Sequence, residues 1–245
     1  MDFPYHFEPL GEQLSICVTR EHKFGTDAFL LADFASPRRK DFVCDLGTGC
    51  GIIPLLFCKN GQAASIRAVD IQPKAIEQLA ITIDKNGLGS KLEGLCADLK
   101  ELEGALPFGI FDIVTCNPPY KASRQGIESL READRIARHE ITCTLDDIAK
   151  SASQLLKFGG RFCICQRPER LPDAITAMRR HDMEPKRIRF VQQKPDTAPW
   201  LFLMEGKKGS HPFLKVEKPL IVEGTDGFSE EMLKIYGCQN RQLLS

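Results

Sequence analysis

The chain has 245 residues, 42% of them hydrophobic and 27% charged, with 33 basic and 33 acidic side chains. This is the composition of an ordinary globular chain, without low-complexity segments or internal repeats. No apolar run approaches a membrane span and the amino end lacks the basic and apolar regions of a signal peptide, so a cytoplasmic location away from membranes is expected. The ten cysteines are scattered and form no Cys-x-x-Cys pair, so they read as reduced packing residues rather than disulfides or metal ligands.

Residues 1–22 read as an amino-terminal arm, with one alternating stretch at 14–18 that suits a short strand. A helical pattern follows at 28–35, with Thr26 as a plausible N-cap and Pro37 as a stop. The Gly25-Thr26-Asp27 lead-in also suits the wall of a ligand pocket.

Residues 42–46 form a buried-strand run, followed by Gly47-Thr48-Gly49-Cys50-Gly51 and a helix at 52–57 with Pro54 in its first turn. Strand, glycine loop and helix open a nucleotide-type fold, in which glycines let a ligand approach the backbone. Ile52 stands where a third dinucleotide-type glycine would be, which disfavours pyrophosphate. Asp45, at the strand end, points instead to a cationic ligand such as the amino group of a methionine moiety.

The next strand, 65–71, carries Asp70 at its end, 25 residues after Asp45, where an acid can accept both ribose hydroxyls. An amphipathic helix follows, with Ala75, Ile76, Leu79, Ala80 and Ile83 facing inward and Asn86-Gly87 ending it. A third strand at 92–96 leads to Asp98, placed to accept an adenine amino group.

A fourth strand at 111–116 delivers Asn117-Pro118-Pro119-Tyr120, and the prolines stop any further ladder. The Asn117 side-chain carbonyl and the Pro118 backbone carbonyl are two nearly rigid acceptors that suit a planar NH2 group, and Tyr120 adds a stacking face. An adenine amino nitrogen is a poor nucleophile because its lone pair is delocalised. Accepting both N–H bonds favours its reactive, pyramidal form as charge develops.

Residues 121–142 are polar without a clean period and are expected to form a lid over the base pocket. An apolar helix face at 145–156 is expected to end at Gly159-Gly160, before a fifth strand at 161–165. A helix at 171–181 and strands at 187–191 and 200–205 come next, the last two forming an antiparallel edge. Residues 214–222 suit a final strand, and Ser229 a cap for a short helix through Tyr236, stopped by Gly237.

Charge is unevenly spread. Residues 1–118 hold 11 basic and 16 acidic side chains, and residues 119–245 hold 22 and 17. A basic excess after the Asn117 motif fits a polyanionic substrate. Lys186, Arg187, Arg189 and Lys194 are open to two readings, as phosphate contacts or as charges guarding a sheet edge.

The succession Asp45 to Gly51, Val69-Asp70, Ala97-Asp98 and Asn117-Pro118-Pro119-Tyr120 resembles class I S-adenosyl-L-methionine (AdoMet)-dependent methyltransferases acting on amino nitrogens. Phe24-Gly25-Thr26-Asp27, Arg138-His139-Glu140 and Arg167-Pro168-Glu169-Arg170-Leu171 are similar to segments of the bacterial tRNA(Val) adenine-37 N6-methyltransferase family.

The resemblance implies one doubly wound α/β domain over 1–245, Rossmann-like and seven-stranded in the order 3-2-1-4-5-7-6, mostly parallel with an antiparallel edge. It implies AdoMet bound by Thr26, Asp45, Gly47, Gly49, Gly51, Asp70, Ile71, Asp98, Leu99 and Asn117. Asn117, Pro118 and Tyr120 would be catalytic, and tRNA would meet Tyr120, Lys121, Arg124, Arg138 and His139 without a metal. Alternatives are methylation of a release-factor glutamine, methylation of an rRNA guanine amine, and a non-catalytic AdoMet- or RNA-binding module. Only about forty residues precede Asp45, which leaves little room for the helical recognition domain of the release-factor enzymes.

Overall fold

A computed structural model describes residues 4–11, 13–20, 22–118 and 143–237. Pro119, Tyr120, Lys121, Arg124, Arg138, His139 and the expected lid lie outside the described residues. The main sheet runs through β3 (Phe42–Leu46), β4 (Ser65–Asp70), β5 (Leu92–Cys96), β6 (Phe111–Cys116), β7 (Leu156–Gln166), β8 (Met183–Gln192) and β9 (Leu201–Lys208). Their spatial order is β5-β4-β3-β6-β7-β9-β8, the expected doubly wound order. β3 to β7 are parallel, and β9 is antiparallel to both β7 and β8. The sheet is nine-stranded rather than seven-stranded. Residues 214–222 supply two short strands, β10 (Lys215–Val216) and β11 (Leu220–Ile221), each parallel to β8.

Strand alternation divides the core in two. Val43, Ile113, Cys163 and Cys165 face one layer with α1 (Thr26–Ala35), α2 (Ile52–Lys59) and α3 (Pro73–Asn86). Cys44, Val114, Cys116, Phe162 and Ile164 face the other, with α4 (Leu145–Leu155) and α5 (Leu171–Arg180). The nine described cysteines are free, and those within the sheet are buried except Cys96.

Three local expectations are corrected. The N-cap of α1 is Gly25, with no side-chain cap; Thr26 is the first helical residue, and its hydroxyl lies 2.8 Å from the Tyr236 hydroxyl. Helix α4 ends at Leu155, and Gly159 and Gly160 lie within β7, where the pairing with β6 shifts register and Gly159 takes φ +75°. That helix starts on a Thr144–Asp147 capping box.

The third concerns α3. Ala80 is exposed, whereas Gln78 and Thr82 are buried. The reason is β2 (Leu14–Thr19), which pairs antiparallel with β1 (Tyr5–Leu10) along one edge and presents its other edge to α3. Gln78 Nε2 donates to the Cys17 carbonyl at 2.6 Å, and Thr82 Oγ1 accepts from Cys17 N at 3.0 Å. Asn86 accepts from Ser15 N at 3.0 Å and donates to its carbonyl at 2.7 Å. Helix side chains at intervals of four thus satisfy a strand edge that would otherwise leave its polar backbone unpaired. The arm is thereby tied to the body of the chain just ahead of α1.

Candidate active site

The carboxyl ends of β3, β4, β5 and β6 bring together most of the described residues expected to act. Asp45, the last residue but one of β3, stands next to Thr115, its register partner on β6, and is 1% exposed. Thr115 Oγ1 donates to Asp45 Oδ1 at 2.5 Å. The other oxygen, Oδ2, is buried and has no hydrogen-bond partner, and neither has Thr48 Oγ1. Thr48 lies close enough to draw the Asp45 pKa down without reaching hydrogen-bond geometry. Burial outweighs the Thr115 and Thr48 contributions and pushes Asp45 from 3.8 to about 7, with the nearby Asp70 charge adding to the rise.

Asp70, 6% exposed at the end of β4, accepts from Gly49 N at 2.8 Å and from Gln72 N at 2.9 Å. Each oxygen keeps a lone pair beyond these contacts. Through Gly49 N the acid also fixes the glycine loop, and the same strand holds it a second time where Thr48 N donates to the Val69 carbonyl. Gly47 and Gly49 take positive φ, and a Cβ on either would meet no atom within 4 Å. Open space on a left-handed loop forms a glycine cradle where a ligand can approach the backbone. Gly51 takes φ +82° as well, and a Cβ there would in addition press on the buried Leu79 side chain of α3.

Ile71, just past Asp70, is 48% exposed. Asp98 follows β5, accepts from Lys100 N at 2.9 Å and lies 3.6 Å from Lys100 Nζ. Leu99 is half-buried, and its carbonyl accepts from Ser151 Oγ at 2.7 Å. At the end of β6, Asn117 is half-buried and Pro118 buried. Thr26 is held by Tyr236, and among the described residues no hydrogen bond joins it to the acids.

Two contacts escaped the sequence reading. Thr115 was only a strand residue there, and Cys165 only a packing residue, yet Cys165 Sγ donates to Asn117 Oδ1 at 3.0 Å. Both lie across from their partners on neighbouring strands, and a cross-strand neighbour carries no sequence signal until register is known.

The basic residues of β8, and Lys194 just after it, have partners within the chain. Lys186 Nζ donates to the His211 and Pro212 carbonyls, Arg187 to the Phe34 carbonyl and Glu205, and Arg189 to Glu231; Lys194 lies 3.4 Å from Glu223. β10 and β11 pair with β8 at residues 187–188 and 191–192, so β8 is not a bare sheet edge there.

An open α/β sheet with a glycine loop after its first parallel strand, an acid ending each of the next two strands' neighbourhoods and an Asn-Pro at the fourth defines a class I methyltransferase architecture. The methyltransferase small-domain family model matches residues 19–180, and the chain belongs to that family. It is a methyltransferase that uses S-adenosyl-L-methionine. The tRNA1(Val) (adenine(37)-N6)-methyltransferase of Parabacteroides distasonis is 29% identical over 206 residues, 80% of this chain and 84% of that relative. The protein of the same name from Bacteroides fragilis strain YCH46 is 27% identical over 220 residues, 87% and 88% of the two chains. Among solved structures, a predicted O-methyltransferase, Atu636 from Agrobacterium tumefaciens, superposes with a TM-score of 0.70 at 22% identity over 86% of this chain and 95% of the other, a likeness of fold.

Proposed function

We propose that the protein transfers a methyl group to the exocyclic N6 amine of an adenine in tRNA, at position 37 of a valine tRNA. The observation that carries this reading is the Asn117-Pro118 pair at the end of β6, next to the strand whose Asp45 faces the glycine cradle. The names of the relatives agree with it.

In this reading Asp70 holds ribose hydroxyls, Asp45 a positive group, Gly47 and Gly49 the close-lying backbone contacts, and Ile71 and Leu99 the faces of the cofactor's base. Bound there, AdoMet supplies a methyl group already activated on a sulfonium. The chain's own work is orientation. Asn117 Oδ1 and the Pro118 carbonyl accept the two N–H bonds of the target amine, and Tyr120 stacks its ring. The proton surplus after transfer passes to water, so no dedicated base is needed.

The test is methyl transfer from labelled AdoMet to total tRNA lacking the modification, with nucleoside analysis and a release factor assayed in parallel. N6-methyladenosine at one site of a valine tRNA is expected, and label on release factor alone would refute the reading. Asn117→Ala is expected to lower transfer roughly a hundredfold or more, about 3 kcal/mol of transition-state stabilisation, while AdoMet binding persists. Asp70→Ala is expected to weaken AdoMet binding instead. Parallel losses in both variants would contradict the division of roles.

A further inference from the structure

We infer that Cys165 is a positioning residue for Asn117: its thiol donates to Oδ1 and fixes which way round the side-chain amide presents itself to the target amine. This rests on the reading of Asn117 as the amine's acceptor.

The two ends of an asparagine amide are nearly equal in size, and its terminal torsion is broad and roughly two-fold. Turned by half a rotation, Asn117 would offer N–H groups to a substrate that is itself a donor. Something must therefore hold the carbonyl in place. Cys165 Sγ lies 3.0 Å from Oδ1 and is 0% exposed. β6 and β7 pair in parallel with Cys116 opposite Ile164, so the next residue of each strand, Asn117 and Cys165, stands side by side at the sheet's carboxyl end. The backbone that carries the thiol is held from the far side, where Cys165 pairs with Leu203 of β9.

The chemistry of the group suits the task. Burial, with the charges of Asp27 and Asp45 nearby, holds the thiol well above its ordinary pKa, which keeps it protonated and a donor. A carbonyl oxygen has two lone pairs, so one contact from sulfur leaves the other for the substrate. The side chain also belongs to the apolar layer formed by α1, α2 and the sheet, where a thiol packs with little penalty and a hydroxyl would have to satisfy both its donor and its acceptor.

The experiment compares the full-length wild type with Cys165→Ala, Cys165→Ser, Asn117→Ala and the Cys165→Ala/Asn117→Ala double variant. In the infrared, the S–H stretching band lost in Cys165→Ala is expected to shift in Asn117→Ala. In transfer to tRNA, Cys165→Ala is expected to lower kcat roughly tenfold with AdoMet affinity unchanged, because a misaligned acceptor costs rate rather than cofactor binding. Cys165→Ser keeps a donor and is expected to retain kcat within about threefold. In the Asn117→Ala background the Cys165→Ala change is expected to add nothing.

Wild-type kcat in Cys165→Ala, an equal further loss in the double variant, or a serine variant as slow as the alanine one would overturn the positioning role. The infrared comparison of wild type with Asn117→Ala stands even if Cys165→Ala does not fold, and an unmoved S–H region there overturns the contact. Full transfer by Asn117→Ala would instead defeat the reading of Asn117, while the S–H shift would still report the contact.

Discussion

Asp45 has an environment that works against its own charge. It is enclosed, one oxygen is satisfied by Thr115 and the other has no partner, and its pKa stands at about 7 against 3.8 for an ordinary aspartate. The folded chain therefore holds a proton that the unfolded chain has released. Stability falls as pH rises from about 4 to about 7 and levels off above, since over that window the folded state binds more protons. Asp45→Asn is expected to flatten this part of the stability–pH curve, as read from urea midpoints at a series of pH values. In the proposed role of Asp45, the ligand's positive group favours the ionised form, so binding AdoMet should expel the proton. Roughly tenfold tighter binding is expected at about pH 8 than at about pH 6, with proton release visible in calorimetry in two buffers of different ionisation enthalpy. An affinity that does not change with pH would remove the positive group from Asp45.

Among the elements, the strand ends were the most legible in sequence. Short β-branched and aromatic runs stop at Leu46, Asp70, Cys96 and Cys116, and a polar residue or glycine stands at each stop or within two residues after it. The end of α4 was not legible, because Gly159-Gly160 reads as a helix terminus although β7 uses it for a register shift against β6. The polar face of α3 was not legible either. Periodicity identifies the apolar stripe, but nothing in a single sequence says that Gln78, Thr82 and Asn86 will meet a strand edge. Those three predict a local response. Gln78 is 0% exposed, donates to the Cys17 and His22 carbonyls and accepts from Thr19 Oγ1. Its replacement by alanine is expected to cost about 2 kcal/mol, the usual cost of leaving buried polar groups unpaired. Hydrogen exchange should quicken in residues 13–20 with little change in β3 to β7. Uniform quickening across the chain, or none, would contradict the assignment of the arm to this one helix face.

At the scale of the whole molecule, the parallel half of the sheet carries the candidate site and the antiparallel half carries a charge cluster that joins it to α1. Glu205, in β9, accepts from Arg161 of β7 at 2.8 Å and from Arg187 of β8 at 3.1 Å. Arg187 also donates to the Phe34 carbonyl at 2.7 Å and lies over the Phe34 ring at 4.0 Å, so one carboxylate links three strands to the last turns of a helix whose first turn borders the site. The Glu205 side chain is 11% exposed, while Arg161 and Arg187 keep 26% and 28% of theirs in solvent. Losing the carboxylate would leave two guanidinium groups with weaker counter-charges, Asp41 at 4.0 Å and Glu217 at 3.5 Å. A fully enclosed pair broken on one side costs about 3–5 kcal/mol, and solvent screening of the arginines together with these remaining acids lowers that to about 2 kcal/mol. Glu205→Gln is therefore expected to move the urea midpoint down with an unchanged m-value and to leave AdoMet affinity intact, because every group it touches lies outside the glycine cradle. An unmoved midpoint would show that water already carries these charges. A loss of AdoMet affinity at full stability would mean that the cluster acts on the site through α1 rather than holding the sheet to it.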